Sequence, residues 1–274
     1  MSNAPKLGLI AGGGQAPYRL IEFCRKMGRE LFVVCLQGQA GADLANDVPH
    51  VWLPLGAGEK LKQVVQEQNI AELVMLGAVR RPSLTELKPD WLALKVVTKI
   101  GMGFLGDDAL LTALGKAIES ETGAKLVGVH EVYGDLLTPS GLMTEKAPDE
   151  QARQDILRGM EIAKELGRLD IGQSVVVQQG LVLGVEAIEG TDELIRRTGS
   201  LQREGLGGVL VKMAKPQQDR RFDLPSFGPN TVKALHEAGL RGLAVQAGHS
   251  LLIDREKTIA LADELGLFML GVEE

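Results

Sequence analysis

"KLGLIAGGGQAPYRLIEFCRKMGRELFVVCL", residues 6–36, decides the fold. An apolar run over 6–11 ends in Gly12, Gly13 and Gly14. Tyr18, Ile21, Phe23 and Cys24 then fall near helical spacing, Gly28 suits a helix C-terminus, and "LFVVCL" (31–36) is a continuous apolar run of strand length. The stretch therefore predicts strand, glycine loop, helix, strand. The alternation continues outward. "EKLKQVVQEQN" (59–69) predicts an amphipathic helix and "ELVMLGAV" (72–79) a third strand. "DDALLTALGKAIESETG" (107–123) predicts a helix with Asp107 as N-cap and Gly123 as its stop, and "AKLVGV" (124–129) returns as a strand. Such β-α-β repetition predicts a parallel sheet with helices on its faces, a Rossmann-like α/β domain.

Turn residues and two prolines gather in "YGDLLTPSGLMTEKAPDEQ" (133–151), which places a boundary near residue 135 and predicts domains over 1–134 and 135–274. Beyond it, "DEQARQDILRGMEIAKELGRL" predicts a helix, and "QSVVVQQGLVLGVEAIEG" predicts a hairpin of two strands. Residues 207–213 predict a strand. "GPNTVKALHEAG" predicts a helix with Pro229 in its first turn. "LRGLAVQAG", "HSLLI", "REKTIALADELG" and "LFMLGV" complete a second α/β unit.

Composition narrows the function. The chain has 274 residues, 45% hydrophobic and 24% charged, as in ordinary soluble proteins of about two domains. A net charge of -6 argues against general nucleic-acid binding, so any phosphate site must be local. Cys24 and Cys35 sit in apolar surroundings and read as reduced core residues of a cytoplasmic protein. With no CxxC pair and no HExxH, a zinc site is not expected. No uncharged apolar run reaches the roughly 18 residues of a membrane span, and no signal peptide is read at the start.

Four motifs carry chemistry. In "AGGGQAP", Gly12, Gly13, Gly14 and Gln15 stand between a strand and a helix, where backbone N–H groups can approach an anion. The spacing is not GxGxxG, so nicotinamide binding is weakly supported. "GAVRRPSL" follows the third strand and brings Arg80 and Arg81 to the same carboxyl edge, where open α/β sheets take ligands. "VEAIEGTDEL" puts Glu186 and Ile188 on one face of an alternating strand, then Glu189, Thr191 and Asp192 in the turn. These carboxylates suit a hard cation such as magnesium, while Thr191 or Asp192 equally suits a helix N-cap. "KPQQDRRFDLPSFGPNTV" (215–232) mixes Lys215, Arg220 and Arg221 with Asp219 and Asp223, and Lys212 precedes it. Taken alone it is a solvated loop or an anion site with a carboxylate beside it. Phosphoryl chemistry needs that mixture, cations for phosphate oxygens and a carboxylate for magnesium or water.

In this order, "GLIAGGGQAP", "GAVRRP", "VEAIEGTD" and "KPQQDRRFDLPSFGPNTV" resemble the LpxI family, the UDP-2,3-diacylglucosamine pyrophosphatases of lipid A biosynthesis. The resemblance spans roughly Lys6 to Val272. It implies two α/β domains with a substrate cleft between them. It also implies magnesium-dependent hydrolysis of UDP-2,3-diacylglucosamine to UMP and lipid X, with water attacking the β-phosphorus. The family's essential aspartate is carried onto Asp223, also the expected metal ligand, with Asp219 as its rival and Lys215 as a pyrophosphate contact. Gly12 to Gln15, Arg80, Arg81, Glu186, Glu189, Thr191, Asp192 and Lys212 are the expected substrate-binding set. Residues 92–111 are a candidate acyl-chain wall, and a diacylated substrate implies transient contact with the inner membrane surface. The oligomeric state stays open. A nucleotide-sugar or lipid-binding protein without hydrolase activity is the alternative.

Overall fold

The computed structural model describes residues 4–80, 89–100, 107–222 and 224–273. The chain forms two compact units, one of Met1–Gly134 with Asp219–Asp223, the other of Asp135–Gln218 with Leu224–Glu274.

The first unit runs β1 (Leu7–Ala11), α1 (Ala16–Met27), β2 (Leu31–Leu36), β3 (His50–Leu53), α2 (Gly58–Glu67), β4 (Glu72–Leu76), α3 (Trp91–Ile100), α4 (Asp107–Thr122), β5 (Lys125–Leu126) and α5 (Val129–Val132). Its sheet has the order β3-β2-β1-β4-β5, with every pair parallel. Central β1 is buried at every position, which explains its unbroken apolar run. Gly28 closes α1 in the left-handed region at φ 63°. The run expected over 72–79 stops at Leu76 because Gly77 turns the chain at φ 102°. The strand expected over 124–129 shrinks to two residues. Glu131 accepts the Gly128 N–H at 2.8 Å and starts α5 instead. The edge strand β3 was not anticipated, since only Leu53 of its four residues is buried.

Phe222 joins the core of this unit with Phe32, Val65, Leu73 and Leu126. A side chain at Gly115 of α4 would collide with its ring.

The second unit runs β6 (Gly141–Leu142), α6 (Glu150–Arg168), β7 (Ser174–Gln178), β8 (Leu181–Val185), α7 (Thr191–Gly199), β9 (Val209–Lys212), β10 (Ser226–Phe227), α8 (Pro229–Glu237), β11 (Gly242–Gln246), β12 (Leu251–Leu252), α9 (Arg255–Glu264) and β13 (Phe268–Val272). Its main sheet has the order β6-β13-β11-β9-β7-β8. β9, β11 and β13 are parallel, and β7 is antiparallel to both β9 and β8. The period-2 rule is visible in the packing. Val175, Val177, Val209 and Val211 pack with Ile156 and Ala163 of α6, whereas Val176 and Leu210 pack with Leu194, Leu235 and Ala262 of α7, α8 and α9.

The β7–β8 hairpin turns through Gln179 (φ 52°) and Gly180 (φ 77°), the positive-φ pair of a tight turn. Fully buried Asp155 accepts both of their N–H groups, at 3.1 and 2.7 Å, and pairs with Arg241 at 3.3 Å. Among the described residues no helix is long and apolar enough to cross a membrane.

Candidate functional site

Strand direction assembles the site of the second unit. β9 ends at Lys212, which lies opposite Ser174, the first residue of antiparallel β7. β8 returns to that edge and ends at Val185, with Glu186 the next residue. Three polar side chains from separate segments thus meet at one sheet edge. Glu186 and Lys212 are each only 6% exposed, and Ser174 is fully buried. Thr191, first residue of α7, joins them. Its hydroxyl lies 2.8 Å from Glu186 Oε1, 2.9 Å from Lys212 Nζ and 3.4 Å from Ser174 Oγ. Glu186 Oε2 also accepts the Gln173 N–H at 3.3 Å, and Lys212 donates to the Ser226 carbonyl at 3.5 Å. Beyond β9, the Ala214 N–H donates to Gln246 Oε1 at 3.0 Å.

The other residues of "VEAIEGTDEL" fall elsewhere. The strand stops before Glu186, so Glu186 and Ile188 do not share a strand face; Glu186 is buried and Ile188 wholly exposed. Neither Thr191 nor Asp192 caps α7. Gly190 does, at φ 81°. Asp192 is exposed on the first turn. Glu189 is held by Arg197 at 2.9 Å, and its own backbone N–H, with Arg197 behind it, keeps its carboxyl below the ordinary glutamate range.

In the long charged motif, Lys215 Nζ pairs with Asp170 at 2.7 Å. Gln217 donates to the Gly167 carbonyl at 2.7 Å, which ties the loop to the end of α6. Asp219 lies in the first unit, held by the Arg221 guanidinium at 2.8 Å, which is the main reason its carboxyl titrates below the usual aspartate range. Asp223 lies outside the described residues.

At the carboxyl edge of the first sheet, the loops after β1 and β4 cross. Gly12 N–H donates to Leu76 O at 2.9 Å, Gly13 N–H to Ala78 O at 2.8 Å, and Ala78 N–H back to Gly13 O at 3.0 Å. The first two glycines thus hold the neighbouring loop, contrary to the expectation that their N–H groups face an anion. Gly14, at φ 88°, and Gln15 are exposed just before α1. Arg80 is exposed, its N–H donating to Gln39 Oε1 at 2.9 Å. Arg81 lies outside the described residues. Sequence reasoning passed over Ser174, Gln246 and Gln39. Gln246 carried a signal, a polar residue closing an apolar run, whereas Ser174 opens its run and Gln39 lies three residues past Leu36, so neither is marked by local pattern.

The described carboxylates do not build a magnesium cage. Asp219, Glu189 and Asp170 each face a cation, both oxygens of Glu186 accept hydrogen bonds, and no group of three or more His, Cys, Asp or Glu converges among the described residues. Magnesium often keeps waters and phosphate oxygens and takes only one or two carboxylates, so a substrate-borne ion needs no such group.

A β3-β2-β1-β4-β5 parallel sheet in one unit and a mixed sheet in a second α/β unit, each with polar residues at the carboxyl ends of strands, define an α/β protein of the class that takes ligands at that edge. Both family models for LpxI match, the N-terminal domain over residues 6–136 and the C-terminal domain over 139–270. The chain belongs to the LpxI family. It is 40% identical over 275 residues to "UDP-2,3-diacylglucosamine pyrophosphatase LpxI" of Caulobacter vibrioides, covering 98% of each chain. Among solved structures, the Bordetella bronchiseptica enzyme WbmG in complex with NAD and UDP matches at 15% identity and TM-score 0.30, over 44% of this chain and 36% of that one. CobK precorrin-6A reductase matches at 12% identity and TM-score 0.36, over 99% and 88%.

Proposed function

We propose that this chain hydrolyses the pyrophosphate bond of UDP-2,3-diacylglucosamine, giving UMP and 2,3-diacylglucosamine 1-phosphate (lipid X), a step of lipid A biosynthesis. The observation that carries the reading is the 40% identity across 98% of the chain to a protein named for that activity. In this reading water attacks the β-phosphorus and UMP departs with the bridging oxygen. Lys212 and Lys215 offset the charge that gathers on the phosphates, the main catalytic task in phosphoryl transfer. Lys215 exchanges Asp170 for a phosphate oxygen. Gly14, Gln15, Arg80 and Arg81 contact substrate. Asp223 orients the water or holds magnesium, which when bound would neutralise phosphate charge.

The protein is proposed to work in the cytoplasm and to touch the inner membrane surface transiently. Residues 92–111 are proposed to meet the acyl chains, 101–106 lying outside the described residues. Exposed Trp91 and Leu94 on α3, 68% and 47% accessible, support an apolar contact in that region.

The test is incubation with UDP-2,3-diacylglucosamine and magnesium in ¹⁸O-labelled water. UMP release with label in lipid X is expected, and binding without turnover would favour a carrier. Asp223→Asn should abolish turnover; near-normal rates at saturating magnesium would remove Asp223 from the chemistry.

A further inference from the structure

We infer that Glu186 and Thr191 are positioning residues, which hold the Lys212 ammonium through a two-bond relay so that Glu186 acts on the reaction without touching substrate. The effect on turnover rests on the proposed hydrolase reading; the relay itself rests on geometry.

Proton counting fixes its direction. A threonine hydroxyl has one hydrogen to donate and two lone pairs to accept with. The Glu186 carboxylate can only accept, so it takes that hydrogen, at 2.8 Å. The Lys212 ammonium can only donate, so it gives to Thr191 Oγ1 at 2.9 Å. Ser174 Oγ, at 3.4 Å, faces the remaining lone pair. The chain reads ammonium, hydroxyl, carboxylate, with every hydrogen pointing toward Glu186.

Burial makes the arrangement consequential. A charge that is 94% covered needs a compensating charge and hydrogen bonds nearby, and Lys212 and Glu186 are both covered to that degree. Direct contact would clamp the ammonium onto the carboxylate. The interposed hydroxyl keeps the opposite charge close while Thr191 and the Ser226 carbonyl set the ammonium's direction. Thr191 is also the first residue of α7, whose positive N-terminal end would repel Lys212, and the carboxylate of Glu186 offsets both. Ser174 opens β7, Thr191 opens α7 and Lys212 closes β9, while Glu186 follows directly on β8, so among the described residues the ammonium's hydrogen-bond partners are anchored at the ends of ordered elements. Both Glu186 oxygens accept hydrogen bonds, which fixes the carboxylate in the orientation the relay needs.

Thr191→Val keeps the side-chain shape and removes the hydroxyl; Thr191→Ser keeps the hydroxyl. With UDP-2,3-diacylglucosamine as substrate, Thr191→Val should lose about 100-fold in kcat with KM within about threefold, as expected when a catalytic group is misplaced by about an ångström. Thr191→Ser should recover to within about threefold of the parent chain, and Glu186→Gln should lose at least tenfold in kcat at unchanged KM. Unchanged kcat in Thr191→Val, or equal losses in Thr191→Ser and Thr191→Val, would overturn the relay. A rise in KM alone would make Thr191 a substrate contact and overturn it as well. A parent chain that fails to release UMP would refute the hydrolase reading, and the relay would then be judged by crystal structures of the parent chain and Thr191→Val. Lys212 Nζ in its original place would overturn it, and a displacement of about 1 Å or more would sustain it. If Thr191→Val does not fold, Glu186→Gln carries the same structural and kinetic tests.

Discussion

Gly12 has no room for a side chain: a Cβ there would lie 2.6 Å from the Ala78 carbonyl oxygen and 2.8 Å from that of Gly77. Both obstacles are backbone, so Gly12→Ala must push the two loops apart. We expect a loss of about 1–3 kcal/mol, read as a fall in Tm. A variant as stable as the parent chain would contradict the crossing. At Asp219 the argument is electrostatic. Its carboxyl is held below the usual range by Arg221, so its contribution to stability is present at neutral pH and is lost as pH falls through that lowered value. Asp219→Asn should lower the neutral plateau of a Tm-versus-pH curve and flatten its acid limb to the same extent, so that variant and parent converge at low pH. How far single residues can be read from sequence follows the same physics. Glu186, Thr191 and Lys212 stood out because charge or hydroxyl at the end of an apolar run is conspicuous. Ser174 did not, because its importance comes from facing Lys212 in the register, which no local pattern encodes. Gly190 displaced Thr191 and Asp192 as the cap because only its φ of 81° lets the chain enter α7.

The β7–β8 hairpin depends on a helix. Asp155 on α6 binds both turn N–H groups and Arg241, while Arg241 also pairs with Asp149, the N-cap of the same helix. Asp155→Ala would leave two N–H donors without their acceptor and Arg241 with Asp149 as its remaining carboxylate, and we expect a loss of about 2–5 kcal/mol by chemical denaturation. A loss under about 1 kcal/mol would mean that water replaces the carboxylate. Elements of full length were legible: β1, α1 and β2 follow from residues 6–36, and α6 from the helix expected over "DEQARQDILRGMEIAKELGRL", its Asp149 cap being a finding of the structure. Short or edge elements were not. β3 buries too little to be conspicuous, and β5 loses its second half to α5, whose start is set by a single Glu131 hydrogen bond.

The first unit is completed by a segment from far along the sequence. Phe222, 9% exposed, fills the space left by Gly115. Phe222→Ala should cost about 3–5 kcal/mol and lower the unfolding midpoint of the first unit while leaving that of the second in place. An isolated fragment of residues 1–134 should show the same deficit against the first unit of the intact chain; equal stability of fragment and intact unit would refute the role of Phe222. The two-part division is written in local composition near residue 135, but membership of Asp219–Asp223 in the first unit is not, because a five-residue segment carries no mark of a partner a hundred positions away. Synthesis on the ribosome turns this into a matter of timing. At roughly 5–20 residues per second, Phe222 emerges on the order of 5–20 s after Gly134. During that interval the nascent first unit has an open apolar slot against α4, and its protection from protease on stalled chains should rise only once residue 222 has cleared the exit tunnel.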